Sequence, residues 1–70
     1  MKVWIARDND GLTAFEHKPF RLYGINPFDD DDFIFRTAMR SSRYVELDER
    51  LLPQVTIENS PVEMDLDIEF

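Results

Sequence analysis

The sequence contains no cysteine, and its longest apolar runs extend over only a few residues. Without cysteine, neither a disulfide nor a thiolate metal site can stabilise the fold. The first residues, Met1 to Asp8, lack the apolar stretch of about 7–15 residues that a secretory signal needs. No segment approaches the roughly 20 apolar residues that cross a bilayer. We therefore expect a cytoplasmic protein without membrane contact.

Basic residues are also few. Eight Lys and Arg stand against fifteen Asp and Glu, which gives a formal net charge of -7. This charge repels phosphate backbones and anionic lipid surfaces, so direct binding to nucleic acid is not expected. The same charge attracts a basic surface on another protein.

Apolar side chains make up 43% of the 70 residues, and aromatic side chains 13%. This content is too high for a disordered acidic tail, and the length allows only one hydrophobic core. We therefore expect residues 1–70 to form a single domain. Without a disulfide or a metal site, a core of this size rarely contributes more than about 3–5 kcal/mol to the free energy of unfolding. A homodimer is therefore an obvious further source of stability.

The N-terminal residues predict a β-hairpin. Residues 2–7 and 12–17 are rich in β-branched and aromatic side chains, and the connection between them contains D-N-D-G. Asn, Asp and Gly tolerate the positive φ values that tight connections demand. In such a hairpin Trp4 and Phe15 form a cross-strand core pair.

The middle of the chain is less regular. Residues 20–32 predict a loop, because they include glycine, proline and four consecutive aspartates. Residues 33–36 fit a short strand, although a short helix over 32–40 with an aspartate cap is the alternative; we favour the strand. Residues 44–47 alternate as another short strand, and residues 48–53 predict a single turn that the last proline ends.

The end of the chain has the clearest pattern, since apolar and acidic residues alternate strictly from Val62 to Phe70. This period of two predicts a half-buried strand with one apolar and one acidic face. The elements together predict a mainly β or α+β fold. We expect a small antiparallel sheet of about four strands with an N-terminal hairpin and, as an option, one short helix.

No catalytic, cofactor or metal motif is recognisable. His17 is the only histidine and stands at a predicted strand end, where an exposed structural role is favoured over that of a catalytic base. Asp8, Asp10 and Gly11 match part of a calcium loop, but Ala6 and His17 occupy its first and last ligand positions. We therefore predict a protein that is not an enzyme and that has no cofactor.

The acidic face of the last predicted strand is the main candidate for a function. Same-face residues of a strand are about 6.6–6.8 Å apart, so their carboxylates would form a line that fits a basic groove. The line consists of Glu63, Asp65, Asp67 and Glu69, and the run Asp29, Asp30, Asp31 and Asp32 would extend it. The commoner role of such residues is a solubilising surface that blocks edge-to-edge aggregation. Nearby cations would then neutralise it, from among Lys2, Arg7, Arg36 and Arg43.

Both ends of the chain resemble small uncharacterised proteins of gut bacteria, their phages and mobile elements. The segment W-I-A-R-D-N-D-G at 4–11 is similar to the pattern W-I-A-R-D-x-D-G of that group. The segment L-P-Q-V-T-I-E-N-S-P-V-E at 52–63 is similar to L-P-x-V-T-x-E-x-x-P-V-E, whereas the middle shows no such likeness. The resemblance implies a small mainly β or α+β domain, names no activity or site residue, and favours a modulator of a host or defence component.

The sequence thus predicts a non-catalytic protein-interaction module, derived from a phage or mobile element, that contacts a basic partner through an acidic surface. The alternative is a structural protein that assembles as a homodimer by pairing its last strand with that of its copy. Facing acidic rows repel each other, so salt would strengthen such a dimer but weaken a complex with a basic partner.

Overall fold

The computed structural model describes residues 1–24, 28 and 32–70, and this part of the chain contains six β-strands and no helix. In chain order the strands are β1 (Lys2–Asp8), β2 (Gly11–Phe15), β3 (Phe20–Tyr23), β4 (Phe33–Arg36), β5 (Tyr44–Leu47) and β6 (Val62–Asp65). Four of them form an antiparallel main sheet in the order β5-β2-β1-β6, and β3 and β4 form a separate antiparallel pair. Among the described residues, no helix is long and apolar enough to span a membrane. The predicted β-rich antiparallel fold is confirmed.

The predicted N-terminal hairpin is present, although its second strand ends at Phe15 rather than at residue 17. Its turn is stabilised by Asp8, whose Oδ1 accepts hydrogen bonds from the backbone N–H groups of Asp10 (2.8 Å) and Gly11 (3.1 Å). Gly11 has a φ of 142°, which side-chain-bearing residues rarely adopt. Trp4 lies opposite Phe15, so the predicted cross-strand pair is confirmed.

Both faces of the main sheet are covered, because the central strands carry apolar residues at consecutive positions. Successive side chains of β1 point to opposite faces. The first face forms a core cluster of Val3, Ile5, Leu12, Ala14 and Val55. The second face forms another, of Ala6, Phe15, Phe33 and Phe35. The irregular segment between β5 and β6 covers the first face, and the β3–β4 pair covers the second.

Arg7 holds the irregular segment against the main sheet. Its side chain donates hydrogen bonds to four main-chain carbonyl oxygens, those of Glu49 (2.8 Å), Leu51 (2.9 Å), Leu52 (3.3 Å) and Val55 (2.6 Å). Because this segment forms no ladder, the guanidinium supplies hydrogen bonds that these carbonyl oxygens do not receive from a neighbouring strand. Within the described residues, only the Leu52 oxygen also accepts a backbone bond, from the N–H of Val55 (2.9 Å). The two chain ends that carry the sequence resemblance are therefore joined through Arg7.

Arg21 of β3 joins the β3–β4 pair to the same segment. Its Nη2 donates hydrogen bonds to the carbonyl oxygens of Ile57 and Ser60. Its guanidinium carbon lies 4.6 Å from the ring centroid of Phe33 and 5.6 Å from that of Phe35. These contacts fix the pair across the second face of the main sheet.

The loop predicted for residues 20–32 is wrong at its start, because residues 20–23 form β3. Their partner is β4, with Phe20 opposite Arg36 and Tyr23 opposite Phe33. Such a pairing depends on a contact across the chain and leaves little local signal. The strand predicted for 33–36, in preference to a helix, is confirmed. The strand at 44–47 is also confirmed.

The predicted nine-residue final strand is wrong in length, because β6 ends at Asp65. Asp65 lies opposite Lys2, the first residue of β1, so the ladder loses its partner there. One further backbone bond joins the N–H of Leu66 to the carbonyl oxygen of Met1 (2.9 Å).

The alternation of exposure nevertheless continues to the last residue. Leu66, Ile68 and Phe70 pack against the first core cluster, and the acidic residues between them are exposed. The ring centroid of Phe70 lies 5.9 Å from the guanidinium carbon of Arg43, which precedes β5. Since β5 and β6 are the two edges of the main sheet, the C-terminal residues cross from one edge to the other.

Candidate functional site

The predicted acidic row is placed by β6 and the residues that follow it. We use this name for Glu63, Asp65, Asp67 and Glu69, all of which are exposed. The apolar residues that alternate with them pack into the first core cluster and anchor the backbone. The row therefore lies on the solvent side of an anchored segment, although the second half of that segment is not a strand.

Cations of the same chain contact much of the row. The N-terminal ammonium group lies 2.9 Å from Oδ1 of Asp65 and 3.8 Å from Oδ1 of Asp67. Nζ of Lys2 lies 3.7 Å from Oε1 of Glu63. Among the described residues, no salt bridge involves Glu69. The row is thus partly neutralised at its β6 end and most available at its far end.

The contact with the N-terminal ammonium group lowers the pKa of Asp65, chiefly through the hydrogen bond and then through Coulomb attraction. The same hydrogen bond raises the pKa of the amino group. Both partners are solvent-exposed, and exposed ion pairs contribute little to stability. The pairing therefore neutralises part of the negative charge of the row and contributes little to the stability of the fold.

Other residues that were expected to neutralise or extend the row form no salt bridge with it in the described part of the chain. Arg7 donates to main-chain carbonyls, and Arg43 pairs with Glu16 at 2.6 Å. Asp32 is half-buried and directly precedes β4, which packs against β1 rather than against β6. The other members of that predicted extension, Asp29, Asp30 and Asp31, lie outside the described residues.

The side chains considered above for catalysis or metal binding do not form a common site in the described residues. His17 follows β2 and is half-buried rather than fully exposed, with Nδ1 3.6 Å from Oε1 of Glu16. In the part of the chain that the structure describes, no three His, Cys, Asp or Glu side chains form a group suited to a metal ion.

A groove between the two sheets is a second candidate site, and no residue pattern indicated it. This inter-sheet groove has a volume of about 640 Å³, within the usual range for binding sites of roughly 300–1,000 Å³. Residues of β2 and β5, namely Thr13, Phe15, Tyr44 and Glu46, line one side. Residues of β4 and the chain that follows it line the other, namely Ile34, Phe35, Arg36, Thr37, Met39, Arg40 and Ser42. Asp8 completes the lining.

Two arginines that line the groove have no side-chain hydrogen-bond or salt-bridge partner in the part of the chain that the structure describes. Four arginines are bonded elsewhere: Arg7 and Arg21 to carbonyls, Arg43 to Glu16 and Arg50 to Asp48. Within the described residues, Arg36 and Arg40 make no side-chain hydrogen bond or salt bridge, and both line the groove and are exposed. In a chain with fifteen acidic residues, two groove arginines without a carboxylate partner in the described part are an unusual feature.

The sequence alone could not reveal this groove, because its residues come from separate strands. Arg36 and Arg40 are four positions apart, which suits one face of a helix, but this part of the chain is a strand and an irregular connection. Their position opposite Tyr44 depends on how the β3–β4 pair sits on the main sheet.

No family model, no curated protein and no solved structure matches this chain. The resemblance of its two ends to small proteins of gut bacteria and their mobile elements therefore stays a prediction.

Proposed function

We propose that the protein is a non-catalytic interaction module that contacts a basic protein surface through the acidic row. The net charge of -7 supports this proposal. The observation that carries it is the unbroken alternation from Val62 to Phe70, in which every apolar side chain is partly buried and every acidic one is exposed. Anchored carboxylates lose less conformational freedom on binding than those of a mobile tail.

The far end of the row contributes most to the proposed contact. Glu63 and Asp65 already face cations of their own chain, so a partner must compete with these. The Asp67 side chain is fully exposed, and its carboxylate lies 3.8 Å from the ammonium group rather than in hydrogen-bond contact. We expect Asp67 and Glu69 to make the larger contribution.

The test compares two charge-matched double variants. Asp67→Asn with Glu69→Gln removes two charges from the row, and Glu49→Gln with Glu58→Gln removes two exposed charges elsewhere. Binding of a fluorescein-labelled deca-lysine peptide is measured by anisotropy, alongside pull-downs from lysate at low and high salt. The proposal predicts that only the row variant loses most binding and that salt weakens the wild-type complex. Equal losses in the two variants would refute the assignment to the row.

A homodimer formed by strand pairing is the second candidate, and the exposed edge of β6 favours it. Edge strands carry unpaired N–H and C=O groups that can pair with another chain. In that assembly, acidic rows from two copies face each other, so salt screens their repulsion and tightens the dimer. Light scattering of the purified protein across a salt series separates the two functions, because they predict opposite trends.

A further inference from the structure

We propose that the inter-sheet groove binds an extended acidic peptide segment, which adds a strand to the free edge of β4 and places carboxylates on Arg36 and Arg40. This site is distinct from the acidic row and selects the opposite charge. It would make the protein an adaptor between two partners of different chemistry.

The backbone of β4 faces the groove. Side chains of a strand alternate between its two faces, yet Ile34, Phe35, Arg36 and Thr37 all line the groove in sequence. A groove lined by consecutive residues runs beside the edge of a strand. The other edge of β4 is paired with β3, and no backbone hydrogen bond outside that ladder involves β4 in the described residues. Its outward N–H and C=O groups are therefore available to an added strand, the usual mode of β-augmentation.

The opposite side of the groove provides an apolar surface. Phe15 lies on the inner side, and Tyr44 is 65% exposed with its ring centroid 6.1 Å from that of Phe15. Met39 is 49% exposed and lies at the same groove. Aromatic and methionine side chains form adaptable contacts with apolar ligand groups. An added strand would thus place apolar side chains on one of its faces against this surface.

The charges of the groove select the peptide. Arg36 and Arg40 have no carboxylate partner in the described part of the chain, so they bind an incoming carboxylate without first breaking an internal pair. Guanidinium groups bind carboxylates in a bidentate geometry. Asp8 and Glu46 lie towards the hairpin turn, since Asp8 pairs with Gly11 and Glu46 with Thr13. These two acidic residues repel a carboxylate at that end, so the carboxylates of the ligand are bound by the arginines and not beside the hairpin turn.

The groove fits a short segment. Four residues of strand extend over about 13 Å, which corresponds to the length of β4. The preferred ligand alternates acidic residues with β-branched or aromatic ones and contains no proline, because proline cannot donate to the ladder.

The test uses a fluorescein-labelled octapeptide of alternating Val and Glu. One control peptide has Lys in place of Glu, and another keeps every Glu but has Pro in place of two central Val residues. The protein variants are Arg36→Gln with Arg40→Gln and, as a charge-matched control, Lys2→Gln with Arg50→Gln. All four substituted residues are exposed, and circular dichroism checks that both variants fold.

The proposal predicts that the Val-Glu peptide binds the wild type and the control variant alike. The affinity of the groove variant is expected to be at least about tenfold lower than that of the wild type, because charge-assisted hydrogen bonds are lost. The proline peptide is expected not to bind, and the lysine peptide, which the acidic row attracts, is expected to bind the wild type and the groove variant equally. Hydrogen exchange at the amides of residues 34–37 is expected to slow only in the complex with the Val-Glu peptide. Equal binding of the proline peptide would overturn strand addition. Equal losses in the two protein variants, or no binding of the Val-Glu peptide at millimolar concentration, would overturn the site.

Discussion

Replacing Arg7 with Met tests whether one side chain holds the irregular segment between β5 and β6 in place. Arg7 donates to four carbonyl oxygens of that segment, and the bonds to Leu52 and Val55 are partly shielded from water. A hydrogen bond contributes about 0.5–1.5 kcal/mol net, and more with a charged donor. Water replaces the two exposed bonds at little cost. We therefore expect a loss of about 2–4 kcal/mol in the free energy of unfolding.

This loss is large for so small a domain, whose total stability is about 4–10 kcal/mol at 0.05–0.15 kcal/mol per residue. The melting temperature should fall by about 10–30 °C, at roughly 4–8 °C per kcal/mol. Urea and thermal unfolding, followed through the fluorescence of Trp4, measure both quantities. Arg7→Lys should be intermediate, since an ammonium group cannot reach all four oxygens. Arg50→Met is the control, because Arg50 is exposed and, within the described residues, its side chain bonds to Asp48 alone. If Arg7→Met costs no more than Arg50→Met, the reasoning is refuted.

Three further outcomes follow from the structure. Gly11→Ala should lower the free energy of unfolding by about 1–3 kcal/mol, because a φ of 142° is strained for alanine even though a Cβ would meet no atom within 4 Å. Urea unfolding of this variant, compared with Asp10→Ala, measures the loss. Phe35→Leu should lower the free energy of unfolding by about 1.5 kcal/mol, because it loosens the packing between the two sheets. A smaller loss than that caused by Leu22→Val would contradict this packing. The bond from Arg43 lowers the pKa of Glu16, so its small stabilisation is present above the unfolded pKa and lost as pH falls through the folded one. Glu16→Gln should flatten the acid limb of a stability–pH profile, and an unchanged limb would count against the pair.

Much of the fold could be predicted from local sequence. The turn D-N-D-G stands between two β-rich runs, so the hairpin and the pairing of Trp4 with Phe15 follow from turn chemistry and register. The alternation from Val62 to Phe70 correctly predicted which side chains are partly buried and which are exposed. It did not predict the end of β6, because hydrogen bonding depends on the neighbouring strand and that strand starts at Lys2.

For the acidic row too, the sequence predicted the residues but not their partners. The residues of the acidic row were evident from their spacing, but the cations that contact them come from the other end of the chain. Arg7 and Arg43 looked like possible partners of the row, yet one bonds to carbonyls and the other to Glu16. Which cation neutralises which acid is a matter of distances after folding.

By itself the sequence determined the β-rich class, the N-terminal hairpin, the acidic character and the alternating faces of the C-terminal residues, because each depends on residues close together in the chain. Only the tertiary structure decided that residues 20–23 form β3, that Arg7 binds the segment before β6 and that Arg36 and Arg40 share a groove with Tyr44. These features depend on contacts between distant segments. Local propensity is too weak to specify such contacts. They are selected when the β3–β4 pair and the irregular segment pack on the two faces of the main sheet.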